Sequence, residues 1–301
     1  MTGDGPHDRM AEVVALKRDL AQAGYVAEHG LVAALLLMQD LGRPLLLEGD
    51  AGVGKTEVAK VLARLRGAPL IRLQCYEGLD VHAALYEWNY QRQLLAIKLL
   101  EHDERGIAQK EQDIFSARYL LERPLLQAIT SESPVVLLID EVDRADTAFE
   151  AYLLELLSDF QVSIPELGTI RATSRPLVVI TSNGTRELSD ALRRRCLYQF
   201  IDYPDHDKEL AIVGLKLPDA PQALARQIVA FVQAVRRMEL QKKPGIAETL
   251  DWAAALLRLD VRVIDAAGVE RLLDTLSALI KTRDDRAAFP REVVARLAAA
   301  C

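Results

Sequence analysis

Gly49-Asp50-Ala51-Gly52-Val53-Gly54-Lys55-Thr56 decides how the rest of the chain is read. This G-x-x-x-x-G-K-T spacing follows an apolar run, Pro44 to Leu47, and opens the helical pattern EVAKVLARL. In that context the octapeptide reads as a phosphate-binding loop rather than an incidental glycine turn before a helix. Gly52 and Gly54 permit positive φ and close backbone approach to an anion, so that successive N–H groups and the helix N-terminus converge on phosphate oxygens. Lys55 supplies a point charge for the β- and γ-phosphates, and the Thr56 hydroxyl is a ligand for Mg2+. The expected ligands are ATP and Mg2+.

Working outward, four more apolar runs alternate with helical patterns: Leu70 to Leu73, Val135 to Ile139, Leu177 to Thr181 and Leu197 to Ile201. Strands apolar along their whole length imply a mostly parallel sheet covered on both faces, and hence an α/β core. After Tyr203-Pro204-Asp205 the runs Leu210 to Leu215, Ala223 to Met238, Ala247 to Leu259, Val269 to Lys281 and Pro290 to Ala300 all suit helical spacing. The expectation is an α/β nucleotide-binding domain over 1–204 and an all-α domain over 205–301.

The third run ends in Asp140-Glu141, placing two carboxylates at the carboxyl edge of a strand, where ligands of open α/β sheets bind. Beside a phosphate loop, Asp140 is the expected Mg2+ carboxylate and Glu141 the base that polarises an attacking water. Acids ahead of the next helix, Ala145 to Phe160, also complement its dipole. The run Leu177 to Thr181 leads to Asn183, an amide placed either to hold the lytic water or simply to form a turn. Arg193, Arg194 and Arg195 form a solvated face or supply an arginine to transferring phosphoryl charge.

Composition narrows the partners. The 301 residues are 50% hydrophobic and 27% charged, with 16 Gly and 12 Pro, which suits a folded protein rather than a disordered or fibrous one. Forty-four acidic against 37 basic side chains give a net charge of -7, which argues against a duplex-binding face, and no nucleic-acid partner is expected. The longest apolar stretch, Leu31 to Met38, is far short of the roughly 20 residues a membrane helix needs, so no membrane span is expected. A polar first ten residues lacks a secretory signal, and the reading is cytoplasmic. Cys75, Cys196 and Cys301 lack metal-type spacing and fit a reducing compartment.

With these motifs in place the chain resembles an AAA+ ATPase, and more closely its MoxR branch. Asp140-Glu141-Val142-Asp143-Arg144-Ala145 matches that branch's DExxRA, and LSDALRRRC matches its L-x-E-A-x-x-D-R-F segment, which puts the arginine finger on Arg195. LIRLQCYEGLD, ALYEWNYQRQLL, LLELLSDFQVSIPELGTI and KKPGIAETLDW resemble the subgroup found beside molybdenum-hydroxylase maturation genes, including accessory ATPases of carbon monoxide dehydrogenase. The resemblance implies a five-stranded sheet of order 5-1-4-3-2, a C-terminal helical lid, and a homo-oligomer in the form of a hexameric ring. It also implies a von Willebrand factor A-domain partner and a client metalloenzyme. Catalysis would fall to Glu141, Asn183 and Arg195, with Thr56 and Asp140 on the metal. One departure stands out: the lid's usual Pro-Arg sensor position reads Ile246-Ala247-Glu248-Thr249, and an acid there repels phosphate, so no second sensor is assigned.

Tyr76, Tyr86, Trp88, Tyr90, Phe115 and Tyr119, six of sixteen aromatics, fall between Tyr76 and Thr130, either to grip a client or to fill a local core. Within this segment Glu101 to Gln112 reads as an exposed charged stretch, and Gln161 to Thr173 reads as a hairpin. The sequence supports an Mg-ATPase that remodels or matures a client enzyme. A nucleotide-gated regulatory module with slow turnover is the alternative, favoured by Glu248.

Overall fold

The computed structural model describes residues 6–100, 105–265 and 267–301. Among the described residues nine strands run in chain order as β1 Leu45–Glu48, β2 Leu70–Gln74, β3 Tyr86–Trp88, β4 Leu120–Glu122, β5 Val136–Asp140, β6 Gln161–Ile164, β7 Gly168–Arg171, β8 Leu177–Ser182 and β9 Leu197–Phe200. Five of them form one sheet in the order β2-β5-β8-β1-β9, which among these five strands alone is 5-1-4-3-2 read from the other edge. All five expected runs are therefore strands of one sheet, and the α/β expectation holds. The pairings β2 with β5, β5 with β8 and β1 with β8 are parallel. Every residue of β5 is buried, as a central strand covered on both faces requires.

The register matters more than the order. Gln74 pairs with Asp140, Ile139 with Ile180, and Glu48 with Ser182, so the carboxyl ends of four chain segments finish level. The sheet packs on Phe149, Leu153, Leu156 and Leu157 of the helix Thr147–Asp159 and on Leu125, Leu126 and Ile129 of the helix Pro124–Thr130. Phe160 ends the first of these in the left-handed region at φ 49°, and β6 starts on the next residue to form the expected hairpin with β7.

Two compact units account for the chain. One comprises the residues up to Val13, His29–Glu48 and Val58–Gln199; the other comprises Val14–Glu28, Gly49–Glu57 and Phe200–Cys301. The second unit holds the phosphate loop as well as the chain from Phe200 onward. Its helices are His206–Lys216, Gln222–Arg236, Ile246–Arg258, Val269–Thr275, Arg283–Ala287 and Arg291–Ala299. Leu224, Ile228, Phe231, Val232 and Val235 recur at helical spacing and bury one face of Gln222–Arg236 against Trp252, whose ring lies 4.8 Å from that of Phe231. The run expected to continue to Lys281 is α-helical only to Thr275. There the Thr275 hydroxyl donates back to the carbonyls of Arg271 and Leu272 and accepts from Trp252 Nε1 at 2.9 Å, and the chain tightens into a 3-10 turn over Leu276–Ala278.

The aromatic segment resolves largely as core. Tyr86, Trp88 and Tyr119 are buried, Trp88 meets Phe115 edge-on at 5.6 Å, and β3 pairs with β4 beneath them, while Tyr76 and Tyr90 remain exposed. Of the stretch Glu101 to Gln112, residues 101–104 lie outside the described residues; from 105 onward it is mostly exposed and enters the helix Ile107–Ile114. Among the described residues no helix is long and apolar enough to cross a membrane.

One buried ion pair organises the second unit. Arg236 holds Glu209 through two bonds of 2.6 Å, and both side chains are almost without exposure. Thr249 Oγ1 and Gln233 Nε2 donate to the same carboxylate, and Arg236 Nε donates to Pro244 O at 2.7 Å. Glu209→Gln strands a buried guanidinium, so urea denaturation should show a loss of about 3 kcal/mol or more. A loss below about 1 kcal/mol would mean that the pair does not carry opposite charges in the folded state.

Candidate functional site

The phosphate loop begins where β1 ends. Gly49 is buried, and a Cβ there would stand 2.1 Å from Ile201 O, so no other residue fits; Gly52 and Gly54 take φ of 81° and 96°, the region that glycine tolerates. Both loop glycines singled out by spacing therefore have the predicted backbone. The helix Lys55–Arg66 starts inside the motif, which directs its first amides and the positive end of its dipole toward the loop. Lys55 is buried, with Nζ donating at 2.7 Å to both Gly49 O and Asp50 O. Asp50 is exposed and Thr56 half-buried. A buried ammonium within a cradle of glycines fits a polyphosphate anion by charge and by the space the absent side chains leave.

Of the other candidate residues, Asp140, Glu141 and Asn183 lie on the carboxyl edge of the sheet, whereas Arg195 precedes β9 and lies by the amino ends of β1 and β9. Asp140 ends β5 and is buried; its Oδ2 accepts from Arg72 Nε at 3.1 Å and from Arg72 Nη2 at 2.6 Å. Its Oδ1 accepts from Thr181 Oγ1 at 2.6 Å, and that same hydroxyl accepts the Glu141 N–H at 2.8 Å. Thr181 thus fixes both acids. Glu141 itself stands at φ 54°, ψ 51°, a strained conformation for a side-chain-bearing residue, which turns the chain sharply after the strand. Its Oε2 accepts from Gln74 Nε2 at 3.0 Å and Arg144 Nη1 at 3.1 Å.

Asn183 is brought to the same edge by a residue that sequence reasoning passed over. Asp143 accepts the backbone N–H of Asn183 at 3.1 Å, the N–H of Thr185 at 3.0 Å and the Thr185 hydroxyl at 2.6 Å. Burial pushes the Asp143 carboxyl up, but the bonds from Thr185 and Asn183 outweigh that and hold it below its usual 3.8. Asp143, Thr181, Arg72 and Gln74 are the positioning residues missed. The signal available for them was slight: a hydroxyl at the end of β8 and polar residues at alternate positions of β2.

Arg195 ends the short helix Asp190–Arg195 and is exposed; its Nε donates to Ser158 Oγ at 2.6 Å and Nη1 to Ala191 O at 3.4 Å. Arg43 donates to the carbonyls of Arg195 and Cys196 at 3.2 and 3.3 Å, which anchors the backbone of the arginine run. Cys196 is buried, and burial pushes its thiol up to about 12 despite Arg43, so it packs rather than reacts. The Thr56 hydroxyl and, separately, the Asp140 carboxylate are each hard oxygen donors of the kind Mg2+ takes.

Residues 44–196, just over half of the chain, match the family described as AAA domain (dynein-related subfamily). The gas vesicle ATPase GvpN of Haloferax mediterranei is 25% identical over 269 residues, covering 80% of this chain and 75% of that protein. An uncharacterized protein of Staphylococcus haemolyticus is 25% identical over 265 residues, covering 86% of each. A solved structure of a RuvB point mutant from Thermotoga maritima is 20% identical and covers 91% of this chain and 72% of that chain, with a TM-score of 0.47.

Asp143→Asn replaces one of the two acceptor oxygens that Thr185 and Asn183 use by a donor amide and removes the charge, and should cost about 1–3 kcal/mol in urea denaturation at neutral pH. The folded carboxyl lies below its unfolded value, so this advantage of the wild type is complete above pH 4–5, roughly, and disappears as pH falls through the folded value. A difference that grew on acidification would contradict the bonding described.

Proposed function

The chain belongs to the AAA domain family, dynein-related subfamily, and on that premise we propose that it is a MoxR-type Mg-ATPase whose turnover remodels a client protein. The observation that carries the reading is the intact phosphate loop, with its glycine conformations and buried Lys55, in a chain whose β5 ends in Asp140-Glu141. Lys55 and the loop amides bind the phosphates. Thr56 and Asp140 are assigned to Mg2+, which when bound screens the charge on the transferred phosphoryl group. Before it can serve there, the Asp140 carboxylate must share or release Arg72.

Glu141 accepts the proton of the attacking water, and Asn183 orients that water. The strained turn at Glu141, pinned by Thr181, favours such a role because it fixes the backbone from which the base projects. Arg195 acts on the nucleotide of a neighbouring copy in a hexameric ring, leaving Ser158 as it does so. A von Willebrand factor A-domain protein is the proposed partner. The client is a metalloenzyme, with a molybdenum hydroxylase such as carbon monoxide dehydrogenase suggested by the resemblance of the segments quoted above. The similarity to a gas vesicle ATPase supports ATP as the nucleotide.

A second reading is favoured by two observations. Glu248 occupies the lid position where an arginine would attract phosphate, and Arg195 is already engaged with Ser158. Both suit a regulatory module gated by bound nucleotide that turns over slowly.

Glu141→Gln should leave ATP affinity within about threefold of wild type and lower kcat at least 100-fold, roughly the size of a general-base effect. Lys55→Ala should abolish nucleotide binding. Specific activity of the wild type, followed from nanomolar to tens of micromolar protein, should rise with concentration, and Arg195→Ala should remove that rise. Wild-type turnover by the Gln variant would rule out Glu141 as the base. ATP binding with negligible hydrolysis at every concentration would favour the regulatory module.

A further inference from the structure

The first turn of the helix Ile246–Arg258 grips the phosphate loop backbone to backbone. A Cβ on Gly245 would stand 2.7 Å from Gly52 Cα, and one on Gly52 would stand 3.1 Å from Gly245 Cα, so the two glycines meet with no side chain between them. Ile246 N–H donates to Gly52 O at 2.9 Å. As the first residue of its helix, Ile246 has no carbonyl of its own helix to bond, and the loop supplies one.

Glu248 closes this contact. Its Oε2 accepts the Gly245 N–H at 2.9 Å and lies 3.2 Å from where a Cβ of Gly52 would be. A carboxylate is thereby fixed against a residue of the phosphate loop, at a place where it gains a backbone bond and the favourable end of a helix dipole. Asp50 is a second acid on the loop and is bonded by the Tyr203 hydroxyl; burial, then Asp50, and further Glu248 push that phenol up to about 12 against the opposing pull of Arg236. The buried network of Arg236, Glu209 and Thr249 holds the turn before Gly245 through Pro244 O, which fixes the helix start from which Glu248 projects.

We propose that Glu248 sets the preference between nucleoside diphosphate and triphosphate, by opposing added negative charge in the loop and so making the Ile246–Gly52 bond weaker when a triphosphate is bound. The inference rests on the reading of the loop as a nucleotide site. Lys55 attracts both nucleotides. Glu248 repels both, but the triphosphate by one further charge even when each carries Mg2+. The excess energy appears as a shift of the helix start away from Gly52 with the triphosphate and as continued contact with the diphosphate. A ligand moves such an equilibrium only by its differential affinity for the two arrangements, and that extra charge supplies the difference.

The test uses the full chain and two variants. Glu248→Gln keeps an acceptor for the Gly245 N–H and removes only the charge. Ile246→Pro places proline at the first helical position, and because its Cδ takes the place of the N–H aimed at Gly52 O, it both deletes the bond and holds the helix start off the loop. Dissociation constants for ADP and for a non-hydrolysable ATP analogue, both with Mg2+, are measured by competition with a fluorescent ADP. The ratio of triphosphate to diphosphate constants should fall roughly three- to tenfold in Glu248→Gln, the size expected of removing one partly screened charge. It should fall in Ile246→Pro as well, because the triphosphate no longer works against the bond. Amide exchange over residues 245–250 should be faster with the triphosphate than with ADP in the wild type and equal in Glu248→Gln. An unchanged or increased ratio in Glu248→Gln, with both nucleotides binding the wild type, overturns the inference alone. A wild type that binds neither nucleotide overturns the nucleotide reading and the inference with it.

Discussion

The in-register parallel pairing of β5 between β2 and β8 is the constraint on which the sheet edge depends. Because Ile139 stands opposite Ile180 and Gln74 opposite Asp140, the three strands finish level and their last polar side chains fall within hydrogen-bond reach of one another. Thr181 can then donate to Asp140 and accept from Glu141 with a single hydroxyl. A slip of one residue in either pairing would send those side chains to the opposite face. Asp140 guards against such a slip, since a shift of β5 would leave its buried carboxylate without Arg72 and Thr181.

Much of this arrangement was legible in the sequence, because the phosphate loop and the five strands depend on local rules. Glycine at fixed spacing announces backbone conformation, and uninterrupted apolar runs announce two-sided burial. Asp140 and Glu141 were legible for the same reason, standing where an apolar run stops. Asp143 was not. Its work is to accept three bonds from a loop some forty residues later, and nothing in its own neighbourhood distinguishes it from an acid at a helix start. The role of Gly245 was equally hidden, since the space it leaves is taken up by Gly52 rather than by anything near it in the chain.

The aromatic segment shows the limit of composition as a guide. A cluster of rings in an aromatic-poor protein suggests a binding surface, yet Tyr86, Trp88 and Tyr119 are consumed in covering a small two-stranded sheet that would otherwise expose its face. A strand pair of three residues each has little core of its own, and large side chains are the means by which so short an element gains enough apolar contact to persist. Thr275 makes a related point about helices. The helical period continues past it, but a hydroxyl that bonds back to the preceding turn and also receives Trp252 ends the α-helical ladder there.

The meeting of Gly52 with Gly245 has a consequence for how this protein can vary. Most packed pairs tolerate change because a gain of volume on one side can be matched by a loss on the other. Here neither partner has volume to surrender. A methyl group added to either backbone finds no compensating substitution at the other position, and only a displacement of the helix start could make room. The two sites therefore behave as one inherited unit, open to change together with the geometry of the lid and closed to change by side-chain replacement alone.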